Sequence, residues 1–467
     1  MCGKRLIGIF FIISMISLVY PCTLVLVGKK ATTDGSVLSG HNNDLPGNIA
    51  SLIDIIPGKK HEVGDMIRLG NGLRIPQVPE TLRMLVMQCY YGFAEGDAVA
   101  INQFGVSIAG GQSLKDDRNE TARAIDPLVP KGVSGHIRYI ALQRAKTARQ
   151  CVEIIGSMYS RYGISYPSAV GVADPQEAWY IEAAGGRFWA AVRVPDDCYL
   201  AAANGFRIKT INFADTKNTI VPSYLKQELL EKGLMTEEQQ IFPFAATFGG
   251  GSVAAKPKYN SRRIWRIQQL LTPSQKQNPD ARSFPLFMKP DSPVDLPKMA
   301  NVLRDHYQNT PWDTTKNCRE RPIGYFDTVH TDMIQLRADM PVEIGAVMWA
   351  GVGTSLATPY TPYYFGMRKI PLPFRTAGQQ PDTASAYWNF RDLADWLQKD
   401  FAGREGVIRK QWEALEHKIF PLQPEVERCA LSIHRLAPGK TRDYLTIYCG
   451  GLAWEALQSA RDLLRVH

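Results

Sequence analysis

The stretch that decides the fold is residues 22–44, CTLVLVGKKATTDGSVLSGHNND. Its first seven residues, 22–28, form an apolar run with little alternation, which predicts a strand buried on both faces. The pair Asp34-Gly35 is a strong signal for a hairpin turn. The chain then returns as a second strand over residues 36–44. The sequence therefore predicts an antiparallel hairpin whose first residue is a cysteine.

The register of this hairpin decides what surrounds the cysteine. With Val27 opposite Ser36, antiparallel pairing places Cys22 opposite His41. The two asparagines and the aspartate that follow His41 would then pass close to the cysteine. Such a cysteine can be a small apolar core residue, a lipid attachment point or a nucleophile, and the segment that precedes it bears on this choice.

Residues 1–21 have the layout of a secretory signal peptide, with two basic residues followed by a charge-free run of 14 residues at 6–19. A helix that crosses the hydrocarbon core needs about 20 apolar residues, so the run favours export over a stable membrane span. Tyr20 and Pro21 make a poor cleavage site, because small residues are expected there. We predict an exported protein, periplasmic or extracellular, and leave the cut position open.

The composition is that of an ordinary globular protein, with 467 residues, 45% hydrophobic and 21% charged. Residues 1–21 hold two of the 54 basic residues and none of the 45 acidic ones, so the remainder carries a net charge of +7. The basic residues are scattered, which gives nucleic-acid binding no support. Seven cysteines remain, too few for a disulfide scaffold. No CxxC, HExxH or EF-hand pattern occurs, so we predict no metal site and no other cofactor.

Strand and helix patterns occur in blocks rather than in alternation. Strand patterns occupy residues 97–111 and 168–194, whereas helical periodicity covers 135–162 and 261–271. This arrangement is typical of an α+β protein built from antiparallel sheets with helices packed outside. The last stretch, 383–467, is amphipathic and helical to its end. We predict it to be a C-terminal extension packed on the main body.

A cysteine at a new N-terminus carries a nucleophile and a base on one residue. If removal of the preceding segment exposes Cys22, its α-amine has a pKa of about 7.7–8.0 and can accept the thiol proton near neutral pH. The amine then needs a carboxylate to orient it, and Asp44 on the second strand is the candidate. Asp44 could also cap the turn before Leu45, a role that would coexist with the first.

Five stretches of the chain resemble one family of enzymes in order and in rough spacing. They are residues 22–44, 101–111, 177–208, 303–313 and 348–364. The third, EAWYIEAAGGRFWAAVRVPDDCYLAAANGFRI, is the most specific. All five are similar to the dipeptidase A family of cysteine N-terminal-nucleophile hydrolases, which is related to bile-salt hydrolases and penicillin V acylases. The resemblance implies an αββα sandwich over residues 22–375, followed by the helical extension.

The resemblance also implies catalytic roles for single residues. It makes Cys22 the nucleophile, its α-amine the base and Asp44 the group that orients the amine. Asn204 falls where the wider superfamily keeps an asparagine that hydrogen-bonds the oxyanion, although an Asn-Gly pair is also a common turn.

An arginine and a histidine complete the implied site. Arg263 falls near a superfamily arginine beside the nucleophile, but Arg262 and Arg266 compete for this place, and Arg263 could instead lie on the exposed face of a helix. His41 stands where many relatives have arginine. Either His41 substitutes for that arginine or the substrate carries a different charge.

We predict that the substrate is contacted by His41, Asn43, Gly110 and Gly111. The two glycines would act through nearby backbone N–H groups, which can stabilise an oxyanion.

These observations predict an exported cysteine dipeptidase that hydrolyses amide bonds of dipeptides or small peptides through a thioester. Two alternatives stay open. The first is an acylase of the bile-salt hydrolase or penicillin V acylase type, and the second is a non-catalytic surface binding protein lipidated at Cys22. The expected partners are small peptide substrates, without nucleic acid, and a homo-oligomer is compatible with the sequence.

Overall fold

The structure, a computed structural model, describes residues 22–90, 98–250, 259–317 and 319–466. The predicted signal peptide, residues 1–21, lies outside the described residues. Within the described ranges, no helix combines the length and the apolar character that a membrane crossing requires.

Nineteen strands occur in the described part of the chain. They are β1 (Thr23–Val27), β2 (Val37–Asp44), β3 (Ser51–Ile56), β4 (Met66–Arg68), β5 (Arg74–Pro76), β6 (Met84–Cys89), β7 (Ala98–Asn102), β8 (Ser107–Ser113), β9 (Ser168–Ala173), β10 (Ala178–Ala183), β11 (Trp189–Val194), β12 (Tyr199–Ala202), β13 (Ile211–Asn212), β14 (Thr219–Ile220), β15 (Ile241–Phe242), β16 (Phe287–Met288), β17 (Thr328–Leu336), β18 (Ala346–Gly351) and β19 (Thr361–Tyr364).

Twelve α-helices occur in the same described ranges. They are α1 (Glu120–Ile125), α2 (Ile137–Leu142), α3 (Ala148–Tyr162), α4 (Leu225–Glu231), α5 (Phe244–Phe248), α6 (Ser261–Leu271), α7 (Leu296–Leu303), α8 (Val342–Gly345), α9 (Leu372–Arg375), α10 (Ala386–Lys399), α11 (Phe401–Leu436) and α12 (Pro438–Val466).

The predicted hairpin of β1 and β2 lies at the centre of a seven-stranded sheet, whose strand order is β16-β12-β1-β2-β17-β18-β19. Every residue of both strands is buried. For β1 this agrees with the continuous apolar run of the sequence. β2 is buried along its polar end as well, so that end must find its hydrogen-bond partners inside the protein.

The predicted register of the hairpin is wrong by two residues. Val27 pairs with Leu38, and the same register continued to the start of β1 places Cys22 beside Asn43 rather than His41. Because the error is an even number, each side chain of β2 stays on the face that the sequence predicts. His41 and Cys22 therefore still face the same side of the sheet.

The loop between the strands explains this difference. The Thr32 hydroxyl donates to the Ser36 carbonyl oxygen at 2.7 Å and lies 3.3 Å from the Lys29 carbonyl oxygen. Thr32 also forms a parallel bridge with Val294. These contacts hold residues 28–36 in a wide loop, whereas an Asp-Gly pair by itself predicts a tight turn.

An eight-stranded sheet, with the order β14-β11-β10-β9-β8-β7-β6-β3, packs face to face on the first through β1, β2 and β8. Gly171 allows this approach, since a Cβ there would lie 2.9 Å from a methyl carbon of Leu24 and 3.0 Å from one of Leu26. α2 and α3 pack on the eight-stranded sheet, and α6 and α7 pack on the seven-stranded one. The predicted α+β body of antiparallel sheets with helices outside is confirmed.

The predicted helix over residues 135–162 is two helices, α2 and α3. The break occurs because the Thr147 side chain accepts a hydrogen bond from the Gln150 backbone N–H at 3.1 Å and so caps a new helix. The predicted helix over 261–271 matches α6.

The helices of the C-terminal stretch connect to the centre of the seven-stranded sheet. Glu416 of α11 accepts hydrogen bonds from Arg304 at 2.7 Å and from the Tyr360 backbone N–H at 2.8 Å. The Tyr360 hydroxyl lies 2.7 Å from Thr331 Oγ1, which donates to Asn42 Oδ1 at 2.6 Å. A buried polar chain therefore runs from α11 to β2.

Candidate active site

Cys22 immediately precedes β1 and is 6% exposed. Its thiol donates a hydrogen bond to the Asn43 side-chain oxygen at 3.3 Å. The Asn43 amide nitrogen is buried and has no hydrogen-bond partner among the described residues. The register of the hairpin thus fixes the direction of the Cys22 thiol and places it next to the Asn43 side-chain amide, whose nitrogen can still donate a hydrogen bond.

Arg263 of α6 connects the cysteine with the neighbouring strand. Its fully buried side chain donates through Nη1 to the Cys22 carbonyl oxygen at 2.8 Å and to Thr23 Oγ1 at 2.9 Å. Nη2 donates to Asn204 Oδ1 at 3.2 Å. Burial, and secondarily Arg321, lowers the pKa of Arg263 to about 10, so this guanidinium is charged at neutral pH.

The two arginines that compete with Arg263 in the sequence have other partners. Arg262 donates to Glu320 at 2.7 Å, and Arg266 donates to Asp305 at 2.7 Å. All three arginines are buried, so none of them lies on an exposed helix face. Of the three, Arg263 is the one that the structure places against the predicted nucleophile.

Asn204 lies just after β12, which pairs with β1. The register of these two strands, continued by two residues, places Asn204 opposite Cys22. Asn204 is 1% exposed, and its backbone oxygen accepts a hydrogen bond from Asn260 Nδ2 at 3.0 Å. Because Arg263 donates to its side-chain oxygen, the other end of the amide is the N–H donor.

Asp44 ends β2 and is completely buried. Its carboxylate forms an ion pair with Arg321 and accepts a hydrogen bond from the Thr328 hydroxyl. Burial raises the pKa of Asp44, whereas Arg321, Thr328 and Arg263 act in the opposite direction. These partners are distant in the sequence, so the carboxylate does not serve as a cap for the turn at Leu45.

His41 and Asp332 face each other across β2 and β17, where the register makes them direct partners. His41 Nδ1 lies 3.3 Å from Asp332 Oδ1, and the two side chains are 2% and 0% exposed. Burial lowers the pKa of His41, but Asp332 and the nearby Cys22 sulfur outweigh it and raise that pKa to about 9. The imidazole is therefore protonated at neutral pH.

Gly110 and Gly111 bring the backbone of β8 close to two charged side chains. Gly110 has a φ of 66°, in the region that favours glycine. A Cβ at Gly110 would lie 2.2 Å from His41 Nε2, and one at Gly111 would lie 2.2 Å from Arg138 Nη2. Any side chain at either position would displace these groups, so the backbone of β8 lines the site directly.

One group of side chains in the described part could hold a metal ion. His41, His330 and Asp332 each offer a nitrogen or oxygen within 4.8 Å of the others. His41 and Asp332 are already bonded to each other, and His330 Nδ1 lies 3.1 Å from Ser51 Oγ. An ion pair and a neutral histidine account for this cluster, and we assign no metal to it.

The structure thus gathers the predicted site residues in one buried region. Cys22, Asn43, Asn204 and Arg263 share direct hydrogen bonds. His41 and Gly110 lie beside this group, whereas Asp44 is held in place by Arg321 rather than by a direct bond to the cysteine.

Comparison with known proteins identifies the family. Residues 21–414 match Peptidase family C69. The chain belongs to peptidase family C69. As a C69 member it is a peptidase of the cysteine type, and the matched region contains all of the side chains described above.

Several relatives of this C69 peptidase carry dipeptidase names. A probable dipeptidase of Latilactobacillus sakei is 27% identical over 388 residues, which are 80% of each chain. A probable dipeptidase of Salmonella dublin is 30% identical over 360 residues, covering 75% of this chain and 82% of the relative. Dipeptidase A of Lactobacillus helveticus is 24% identical over 383 residues, covering 76% and 77%. The predicted resemblance to the dipeptidase A family is confirmed.

Among solved structures, this C69 peptidase matches an N-acylethanolamine-hydrolyzing acid amidase ortholog of Caenorhabditis elegans with a TM-score of 0.30 and 11% identity, covering 67% of this chain and 92% of that chain. This likeness is too distant to bear on the fold.

Two charged residues of the C69 site were missed in the sequence, Arg321 and Asp332. Asp332 is buried inside β17 and therefore needs a partner, but β17 alternates polar and apolar residues, so its sequence does not reveal that this aspartate is buried. Arg321 lies outside any strand or helix, and no local pattern distinguishes it from other loop arginines.

Proposed function

We propose that this C69 peptidase is an exported dipeptidase whose nucleophile is Cys22, which becomes the first residue when residues 1–21 are removed. The observation that carries the proposal is the buried Arg263 side chain, which binds both Cys22 and Asn204. The dipeptidase names of the relatives support the substrate class. The two facing sheets with outer helices support an N-terminal-nucleophile αββα sandwich, and the apolar run at 6–19 supports export.

In the proposed first step, the Cys22 thiol passes its proton to the α-amine and the sulfur attacks the peptide carbonyl carbon. Asn204 Nδ2 and the backbone N–H groups near Gly110 and Gly111 donate to the oxygen that becomes negative. The ammonium then protonates the leaving amine as the C–N bond breaks. The product of this step is a thioester between Cys22 and the acyl part of the substrate.

In the second step, water attacks the thioester while the α-amine accepts a proton from it, and the sulfur leaves. Asp44 orients the amine, and its bonds to Arg321 and Thr328 fix the carboxylate for this task. Asn43 Nδ2, which has no partner among the described residues, is the donor that we assign to a substrate carbonyl.

We expect Asn204→Ala to lower kcat by about 10² to 10³ while KM changes little, because only a transition-state donor is lost. Asn204→Asp is the matched variant, since it keeps the oxygen that Arg263 binds but removes the amide donor, and it should lose as much. Steady-state kinetics and thermal unfolding of both variants check this. An unchanged kcat in folded protein would reduce Asn204 to a turn residue.

The substrate class is tested with the mature protein and a panel of unblocked dipeptides. We expect hydrolysis without added metal, no inhibition by EDTA, and complete loss of activity after iodoacetamide treatment, because the proposed chemistry needs only the thiol and the amine. Turnover of conjugated bile acids or penicillin V without turnover of dipeptides would support the acylase alternative. A diacylglyceryl mass on Cys22 would support the lipidated binding protein.

A further inference from the structure

The two-step mechanism assigns no role to the pair of His41 and Asp332. Both side chains are buried and meet at 3.3 Å through Nδ1 and Oδ1. The remaining polar atoms, His41 Nε2 and Asp332 Oδ2, have no hydrogen-bond partner among the described residues. A buried charged pair with an open donor on the cation is a costly arrangement unless a ligand or a reacting group uses it.

The open donor points toward the predicted reaction centre. A Cβ on Gly110 would lie 2.2 Å from His41 Nε2, so this nitrogen is directed at the bare backbone of β8. The Cys22 sulfur lies close enough to the His41 ring to raise the pKa of His41. His41 Nε2 thus lies against the backbone that we assign to the oxyanion, on a ring that is near the nucleophile.

The titratable groups that face His41 agree on its charge. Asp332 and Cys22 favour the protonated His41 ring. His41 in turn lowers the pKa of Asp44, so the imidazolium and the Asp44 carboxylate favour each other's charged form. His330 is a neighbouring base, and burial together with the charge on His41 lowers the pKa of His330 well below its ordinary value. His41 is therefore the charged ring of the two, and His330 is neutral.

We propose that His41 is a catalytic residue of the dipeptidase reaction, an imidazolium that stabilises the Cys22 thiolate and the oxyanion, and that Asp332 is its positioning residue. This inference rests on the assignment of Cys22 as the nucleophile. The thiol proton still moves to the α-amine, the S–C bond forms and the carbonyl electron pair moves to oxygen. His41 keeps its proton throughout and supplies charge only.

The test uses mature protein that begins at Cys22, with the variants His41→Gln, His41→Arg and Asp332→Asn. The first readout is the alkylation rate of Cys22 by iodoacetamide between pH 6 and 10, followed by mass spectrometry of the N-terminal peptide. The second readout is kcat and KM for a dipeptide over the same pH range. Thermal unfolding identifies variants that fail to fold.

We expect His41→Gln to slow the alkylation of Cys22 at pH 7 about 10-fold and to lower kcat about 10²-fold, because the thiolate loses its cation. In the wild type we expect kcat to decline near pH 9, where His41 loses its proton. His41→Arg should keep both rates within about threefold of the wild type and should remove this decline. Asp332→Asn should move that decline to lower pH, since the imidazolium loses its carboxylate.

Equal alkylation rates in wild type and a folded His41→Gln would overturn the proposal, as would a folded His41→Arg that is no better than His41→Gln. If His41→Gln does not fold, the other two variants still test the proposal. The decline in kcat at high pH should disappear in His41→Arg and should move to lower pH in Asp332→Asn. Alkylation needs no substrate. The expected alkylation behaviour without dipeptide hydrolysis would therefore refute the proposed function but would leave the stabilisation of the Cys22 thiolate by His41 standing.

Discussion

A mature protein that carries one untrimmable residue ahead of Cys22 is expected to be inactive although it is folded. The added residue turns the α-amine into an amide nitrogen, which is not a base, so the thiol loses its proton acceptor while the sulfur stays in place. Loss of a general base lowers rates by about 10² to 10⁴. Cys22→Ser should be severely impaired as well, because a hydroxyl is much harder to deprotonate than a thiol. The measurement is kcat/KM for a dipeptide together with the intact mass.

The matched control has the same extension followed by a protease site that ends directly before Cys22. Cleavage should restore full activity, which excludes misfolding as the cause of the loss. N-terminal sequencing must accompany each assay, because slow trimming would release active enzyme. Full activity in protein whose first residue is shown to lie upstream of Cys22 would refute the mechanism.

Arg321→Met is expected to lower the free energy of unfolding by about 3–5 kcal/mol and to abolish activity at neutral pH. The Arg321 and Asp44 side chains are 5% and 0% exposed, and removing one partner of a buried ion pair leaves the other charge without compensation. Denaturant unfolding measures the loss. Arg368→Met is the control, since the ion pair of Arg368 with Asp443 is about half exposed and such pairs contribute about 1 kcal/mol or less.

The double variant Arg321→Met, Asp44→Asn separates stability from catalysis. It should recover most of the lost stability, because no charge is left buried, but it should stay inactive, because the amine has lost its carboxylate. In Arg321→Met alone, the pKa of Asp44 rises further above its unfolded value. The stability deficit should therefore shrink as the pH is lowered toward 5. A pH-independent deficit, or a double variant as unstable as the single one, would contradict this account.

The hairpin of β1 and β2 could be predicted because its signals are local: a continuous apolar run, a turn pair and a return strand. Its register could not, because the loop that sets it depends on Thr32, which bridges to Val294. The sequence predicted that Cys22 lies beside the polar end of β2, but the residue directly opposite it is Asn43 rather than His41.

Arg263 and Asp332 show why the rest of the site was harder to predict. Helical periodicity separates buried from exposed faces, but α6 buries Arg262, Arg263 and Arg266 alike, so no pattern could select one of them. Asp332 meets His41 because β17 pairs with β2. That pairing joins segments far apart in the chain, and neither segment alone contains a pattern that predicts it.

The strand order of the central sheet has a consequence for when the enzyme can first act. β2 receives its second neighbour, β17, only after residue 336 has been synthesised, and Glu416 reaches Arg304 later still. At about 5–20 residues per second, the ribosome needs on the order of tens of seconds after β1 has emerged before β17 exists. During that interval the nascent chain holds the Cys22 segment without Arg321 or Asp332. The topology thus postpones assembly of the site until most of the chain has been synthesised.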